Sequence, residues 1–332
     1  MKSSMAVKTA KQRVASKSAN TVVQYLAGNN CDLSVRQYID AALADNTLRA
    51  YRADLKHFIA WGGKIPACPE QVATYVAHHA TNLAFSTLSR RLVAIAYAHT
   101  AKGLASPTNS AVVRATMKGV RRSRNCSVRQ VAPLLKSHVL QMVRGLQGLR
   151  GLRDKALLLI GFASAMRRSE LVSLDIEDIQ FSEKGAIIRL RRSKTDQEGK
   201  GRDIAIPRVR GRNCPVRNLL SWIDASGITS GALFRQVNRY DQLLPHRLMA
   251  QSVATIVKQR ATAAGFDARL FSGHSLRAGF VTNAANGGAS SASIREQTGH
   301  KSDAMLQNYI RSAQIFNNNP NLKIWKQNGI VK

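Results

Sequence analysis

The sequence predicts a mainly helical protein of two domains, with one small β-hairpin in the second. Its 332 residues exceed what one typical core accommodates, and 44% of them are hydrophobic, enough to build real interiors. Apolar positions recur at helical spacing almost throughout, interrupted by one short β-like island. The formal charge of +31 comes from 50 Lys and Arg against 19 Asp and Glu. A field of that sign draws polyanions, and nucleic acid is the polyanion that suits such a chain. No apolar run approaches the roughly 18 residues of a membrane span. The best stretch, Lys155 to Ala165, is short and soon meets Arg167 and Arg168. Met1 to Asn20 is basic but lacks the apolar core of a signal peptide. Cys31, Cys68, Cys126 and Cys214 are far apart and form no ligand set, so they read as free thiols in a reducing cytosol, with no metal site.

Residues 1–30 are poor in aromatics and rich in Lys, Ser, Ala and Asn, which predicts a disordered basic arm. Residues 31–120 read as a helical bundle. Leu48, Tyr51, Leu55, Phe58 and Ile59 form one stripe, stopped by Gly62-Gly63. Pro69-Glu70 opens a second helix, Ser86 is the expected cap of a third, and Asn109 to Val120 reads as a fourth. Residues 121–132 form the expected basic linker. Lys118, Arg121, Arg122, Arg124 and Arg129 lie in or beside it without an acid, which suits a segment lying against a phosphate backbone. A charge run is more often simply solvated. From residue 133 to 332 helices dominate again. Ala186 to Arg192 and Asp203 to Ile206 read as the two strands of the hairpin, joined by a polar turn.

Several residues in this second part stand out chemically. Arg167 and Glu170 are spaced to share a helical face, which by itself is an intrahelical ion pair. The fully apolar run from Ala156 to Ala163 just before them implies burial, and a buried guanidinium needs a strong partner. A phosphate suits it, because the guanidinium presents paired donors to two oxygens. His274 and Arg277 are three apart at a predicted helix start, flanked by Gly273 and Gly279, which permit close approach. An isolated HxxR is a weak signal. His300 follows Thr298-Gly299 and has the bland reading of a helix-end histidine. Lys194 stands where the first strand runs out, with Lys200 its rival in the same turn, and such lysines are usually solvated. Tyr309 sits in a predicted helix, where a tyrosine is ordinarily filler. A phenol of ordinary pKa near ~10 is a poor nucleophile, unless cations stabilise its anion.

Order and spacing change the weight of these residues. Met166-Arg167-Arg168-Ser169-Glu170-Leu171 is followed by His274-Ser275-Leu276-Arg277, Gly299-His300 and Tyr309, with Tyr309 lying 32 residues after Arg277 and 9 after His300. From about residue 132 onward, and more weakly before it, the chain resembles the tyrosine recombinases, with local stretches most like Cre-type enzymes. The resemblance implies a two-domain C-shaped DNA clamp, a helical core-binding domain plus a catalytic domain. It implies that Tyr309 attacks a phosphodiester to give a 3′-phosphotyrosine and a free 5′-hydroxyl, with no metal, ATP or other cofactor. Arg167 and Arg277 would clamp the phosphate, Glu170 would orient Arg167, and His274 would take or relay the tyrosine proton. Lys194 would protonate the leaving oxygen, and His300 would donate to a non-bridging oxygen, where Cre-type members often carry Trp. Family members often have Gly where this chain has Ala165.

The implied partners are double-stranded DNA with a specific site and three further copies of the chain, a homotetramer exchanging strands through a Holliday junction. Leu322, Ile324 and Trp325 resemble the C-terminal segment that the family buries in a neighbouring protomer. The implied setting is the bacterial cytoplasm, with nucleoid or plasmid association. Two alternatives remain at this point: a monomeric type IB topoisomerase-like enzyme, and a non-catalytic DNA-binding regulator.

Overall fold

The computed structural model describes residues 45–124, 132–191 and 201–300, together with 306, 307, 321 and 324. The chain separates into two compact units, 1–128 and 129–332. The expected arm, residues 1–30, lies outside the described residues.

In the first unit, α1 (Asp45–Ala60), α2 (Pro69–His79), α3 (Phe85–Thr100) and α4 (Ala111–Ser123) surround an interior of Leu55, Phe58, Val72, Tyr75, Ile95 and Val113. The stripe on α1 behaves as its spacing predicts, with Leu48, Leu55 and Phe58 buried. Pro69 occupies the first turn of α2, where its missing N–H is no loss. Two expectations need correction. Ser86 does not cap α3, which starts at Phe85 behind an extended Ala84. The fourth helix also does not stop at Val120. It runs from a Ser110 cap, whose hydroxyl accepts from the Val113 N–H, through Ser123. Arg121 and Arg122 therefore belong to the last turn of a helix rather than to a linker, where their charge complements the helix dipole.

The second unit is built on α6 (Gly148–Ser164), whose Leu157, Leu158 and Ile160 are fully buried. Around it lie α5 (Lys136–Met142), α7 (Arg168–Ser173), α8 (Pro215–Ser226), α9 (Ala250–Ala263), α10 (Ser275–Asn286) and α11 (Ser291–Thr298). The first half of α6 is held by polar contacts. Near its start, Asp241 accepts the backbone N–H groups of Leu149 and Arg150 at 2.6 and 2.7 Å, and those bonds hold its carboxyl below the usual range. Within its first half, buried Asp154 takes Arg153 on one oxygen and Arg260 of α9 on the other.

The predicted hairpin is present as β2 (Gly185–Leu190) and β3 (Arg202–Pro207), antiparallel with Leu190 opposite Arg202. A third strand, β1 (Ile179–Phe181), joins its outer edge, and β4 (Arg235–Val237) pairs with β5 (Leu243–Arg247) elsewhere. None of these three was predicted. β1 and β4 are three residues long, too short for alternation to register, and β4–β5 pairing is broken by an irregularity.

Gly279 in α10 shows why a small residue is needed there. A Cβ at this position would lie 1.8 Å from the carbonyl oxygen of Leu134. The sequence expectation of close approach holds, and what approaches is the protein's own backbone. Gly279→Ala is expected to destabilise the second unit by about 1–3 kcal/mol, the usual cost of overpacking. Denaturant unfolding followed by tryptophan emission (Trp222 is buried in this unit) checks it.

Candidate active site

Helix α6 ends at Ser164, and the next residue decides the site's geometry. Ala165 is fully buried and left-handed, with φ 52°. A side chain in that conformation costs about 1–2 kcal/mol, which is why Gly suits such a place. The turn is held by Ser164, whose hydroxyl donates to the Ile160 carbonyl at 2.7 Å and accepts from the Met166 N–H at 3.3 Å. It aims the Ala165 carbonyl at α10, where Arg277 Nη1 donates to it at 2.8 Å. It also makes Arg167 the residue that precedes α7 rather than the end of a long helix.

This corrects the expected pairing of Arg167 with Glu170 along one continuous helix. Glu170 sits in the first turn of α7 and is 4% exposed. Its Oε2 accepts the Arg167 backbone N–H at 2.8 Å, and its Oε1 accepts Arg167 Nη1 at 2.6 Å. The carboxylate therefore fixes both the backbone and the side chain of Arg167, a tighter hold than a solvated ion pair provides.

The buried Arg277 lies on the first turn of α10, behind His274, which caps the helix by position, makes no side-chain cap bond and is exposed. Gly273 lies against the Arg168 side chain. His300, half-buried just beyond α11, completes the group. Burial, then the charges of Arg277, Arg167 and Arg202, push its imidazole down to about 4, so it is neutral at pH 7. Three guanidinium groups close enough to depress one histidine mark a common focus of positive charge.

Thr298 Oγ1 donates to the Ile294 carbonyl at 2.7 Å and lies 2.7 Å from His300 Nδ1. With its proton on Ile294, the hydroxyl accepts from Nδ1–H and leaves Nε2 an acceptor. When the hydroxyl turns toward Nδ1, Nε2 becomes a donor.

Arg202 is a participant that sequence reasoning missed. It opens β3, is half-buried, and donates to the carbonyls of Glu296, Gln297 and Thr298 at 3.2, 2.6 and 3.3 Å. Its place two residues after Lys200, at the foot of the predicted hairpin, was the available signal.

The remaining candidates divide. Lys194, its rival Lys200, Tyr309 and Arg129 lie outside the described residues. Leu306, three positions before Tyr309, is fully buried against Val281, Ala285 and Ile294 of α10 and α11. In the first unit, Lys118, Arg121 and Arg122 are exposed on α4. Arg124 is differently placed: its guanidinium donates to the Leu83 carbonyl and, at 2.8 Å, to that of Thr81, so it braces the bundle. Among the described residues no group of three or more His, Cys, Asp or Glu could hold a metal ion. No described helix is long and apolar enough to cross a membrane.

The phage integrase family model matches residues 134–314, which takes in the arginines, both histidines and Tyr309. The chain belongs to the phage integrase family. Members of this family are DNA strand-transferring enzymes, the tyrosine recombinases, as the motif order indicated. The chain is 39% identical over 298 residues to the integrase/recombinase xerD homolog of Selenomonas ruminantium, covering 86% of this chain and 87% of that one. It is 25% identical over 275 residues to recombinase cre of Escherichia phage P1, covering 74% and 77%. The XerH site-specific recombinase bound to palindromic difH substrate, a post-cleavage complex, shares its fold with TM-score 0.59 at 16% identity, covering 84% of this chain and 78% of that one.

The left-handed turn gives a direct test. Ala165→Val puts a β-branched side chain at positive φ in a filled space and is expected to cost about 2 kcal/mol or more. Ala165→Gly should stay within about 1 kcal/mol of the parent. Urea unfolding of both variants provides the comparison.

Proposed function

We propose that this integrase-family chain is a site-specific DNA recombinase that breaks and rejoins duplex DNA through a 3′-phosphotyrosine on Tyr309. The convergence of Arg167, Arg277 and neutral His300 around one point is the observation that carries the reading. The two guanidinium groups take the non-bridging oxygens of the scissile phosphate and offset the charge that builds in the pentavalent transition state. Glu170 keeps Arg167 aimed. A phosphate oxygen at His300 Nε2 favours the arrangement in which the Thr298 hydroxyl turns to Nδ1, so that Nε2–H donates. His274 receives the phenolic proton, and Lys194 supplies a proton to the departing 5′-oxygen. The P–O bond to the 5′-oxygen breaks as the bond to the tyrosine oxygen forms, so the ester conserves the energy needed for rejoining. Exposed Lys118, Arg121 and Arg122 on α4 give the first unit its own contacts to the duplex backbone.

The second unit contains two tyrosines, Tyr240 and Tyr309. Tyr240 is 67% exposed in the β4–β5 turn, beside Asp241 at the start of α6. The arginines lie past the other end of that helix, which is 17 residues or about 25 Å long. That separation favours Tyr309 as the nucleophile.

An apolar groove of about 500 Å³, with Leu159, Phe162, Ile206, Pro207, Phe280 and Ile294 in its walls, opens on the second unit. Its proposed occupant is the segment Leu322 to Trp325 of another copy, in keeping with Ile324 being 65% exposed on its own chain. Such docking, passed from copy to copy around a ring, is the basis for a tetramer on two sites and a Holliday-junction intermediate.

Two outcomes test the proposal, using target DNA recovered from cells as the protein-bound fraction and sequenced. Tyr309→Phe is expected to bind that duplex as the parent does, yet form no covalent adduct on a nicked substrate. Any adduct from this variant removes Tyr309 as nucleophile. Deleting residues 320–332 should leave single-site binding nearly intact and abolish pairing of two sites in gel-shift assays. Normal pairing and recombination by the truncated chain would mean that the groove does not hold this segment.

A further inference from the structure

We propose that Arg202 is a positioning residue for His300: its guanidinium gathers the last carbonyls of α11, so that the Gly299-His300 turn holds the imidazole beside Arg167 and Arg277. A helix end leaves its final carbonyls without intrahelical donors. Here one side chain reaches three of them, on Glu296, Gln297 and Thr298, and places a positive charge at the negative pole of the helix. The Gly299 N–H serves the carbonyl of Arg295. Gly299 itself is left-handed, with φ 68°, and a Cβ there would lie 3.0 Å from Arg202 Nε. The turn therefore closes directly over the guanidinium, and His300 is the next residue.

The same side chain has a second connection. Arg202 faces Leu190 across the neck of the β2–β3 hairpin. Just beyond the end of β2, Arg191 pairs with Asp178 at 2.6 Å and Asp175 at 3.7 Å. The neck is thus pinned on both sides, one to the 3₁₀ turn at Ile176–Asp178 and one to α11. The segment bearing Lys194 begins and ends at this neck. Arg202 therefore ties the hairpin of the proposed general acid to the turn of the proposed phosphate donor. Burial lowers the Arg202 pKa, while the charge of Glu170 opposes that and the charge of Arg167 adds to it, which places the guanidinium within the same electrostatic site.

The charge of Arg202 depresses His300 directly, so a helix cap without this role predicts lost stability and a His300 midpoint that moves in Arg202→Met but not in Arg202→Lys. The full-length chain with carbon-13-labelled histidine separates the two, with the His300 signal assigned from its loss in His300→Gln. In the parent, His300 should titrate at about 4. In Arg202→Met, which keeps the stem and removes the fork and charge, its midpoint should rise toward the free-histidine value. Covalent adduct should fall about ten-fold or more, as a misplaced group predicts, with duplex binding little changed. Arg202→Lys keeps the charge without the fork and should lie between. A His300 midpoint in Arg202→Lys identical to the parent's overturns the proposal, whatever happens to melting temperature. If that variant does not fold, Arg202→Met is read instead, and a midpoint identical to the parent's overturns it equally. The adduct readout rests on the function proposed for the site, whereas the titration does not. A parent that forms no adduct would refute that function and leave the His300 midpoint to judge Arg202.

Discussion

The 2.8 Å hydrogen bond from Arg277 to the Ala165 carbonyl is the contact on which the site's geometry depends. It joins the end of the central helix to the first turn of α10, segments more than a hundred residues apart in sequence. The bond exists because one residue adopts a left-handed conformation and turns its carbonyl outward. The same reversal stops α6, sets Arg167 ahead of α7 and lets Glu170 grip it twice. A straight continuation of α6 would carry Arg167 around the helix and bury the Ala165 carbonyl in the helical ladder. Both guanidinium groups would then lose their bearings.

Helix α6 is suited to this work because it is anchored well away from the site. Asp241 receives the N–H groups of its first turn, and Asp154 ties its first half to α9 through Arg260. Leu157, Leu158 and Ile160 fill the interior between. A buried ion cluster of this kind is weak evidence of added stability, since desolvation consumes much of the attraction. Its directional bonds nevertheless leave α6 little freedom to slide or rotate. The position of Ala165 is therefore determined by groups a helix-length away.

Much of this was legible in the sequence, and the failures have physical reasons. Helical periodicity located the amphipathic elements because their stripes face single cores, and the β2–β3 hairpin stood out through its run of β-branched residues. Spacing alone suggested that Arg167 and Glu170 share a helical face. They do interact, but at the start of a new helix, beyond a break that Ala165 conceals, since alanine is the strongest helix former and gives no sign of a helix end. Ser86 misled for the opposite reason: a good capping residue lies one position inside a helix that starts without a side-chain cap. Arg124 was one cation in a basic run until its donors were seen on the Thr81 and Leu83 carbonyls. Arg202 escaped notice because its partners are backbone carbonyls nearly a hundred residues downstream, and no residue pattern announces a carbonyl.

The tight seat of Gly279 against Leu134 has a mechanical consequence. The chain enters the second unit at residues 132–135, and there Ala132 bonds to Leu270 and Leu134 bonds to Ser275 while its carbonyl rests on Gly279. Every one of these attachments lies on α10 or the segment leading into it. A pull transmitted along the connection between the two units is thus delivered first to the element that carries Arg277, before it reaches either sheet. A force on that connection becomes an input to Arg277, the arginine proposed to clamp the phosphate, with the missing methyl of one glycine as the coupling.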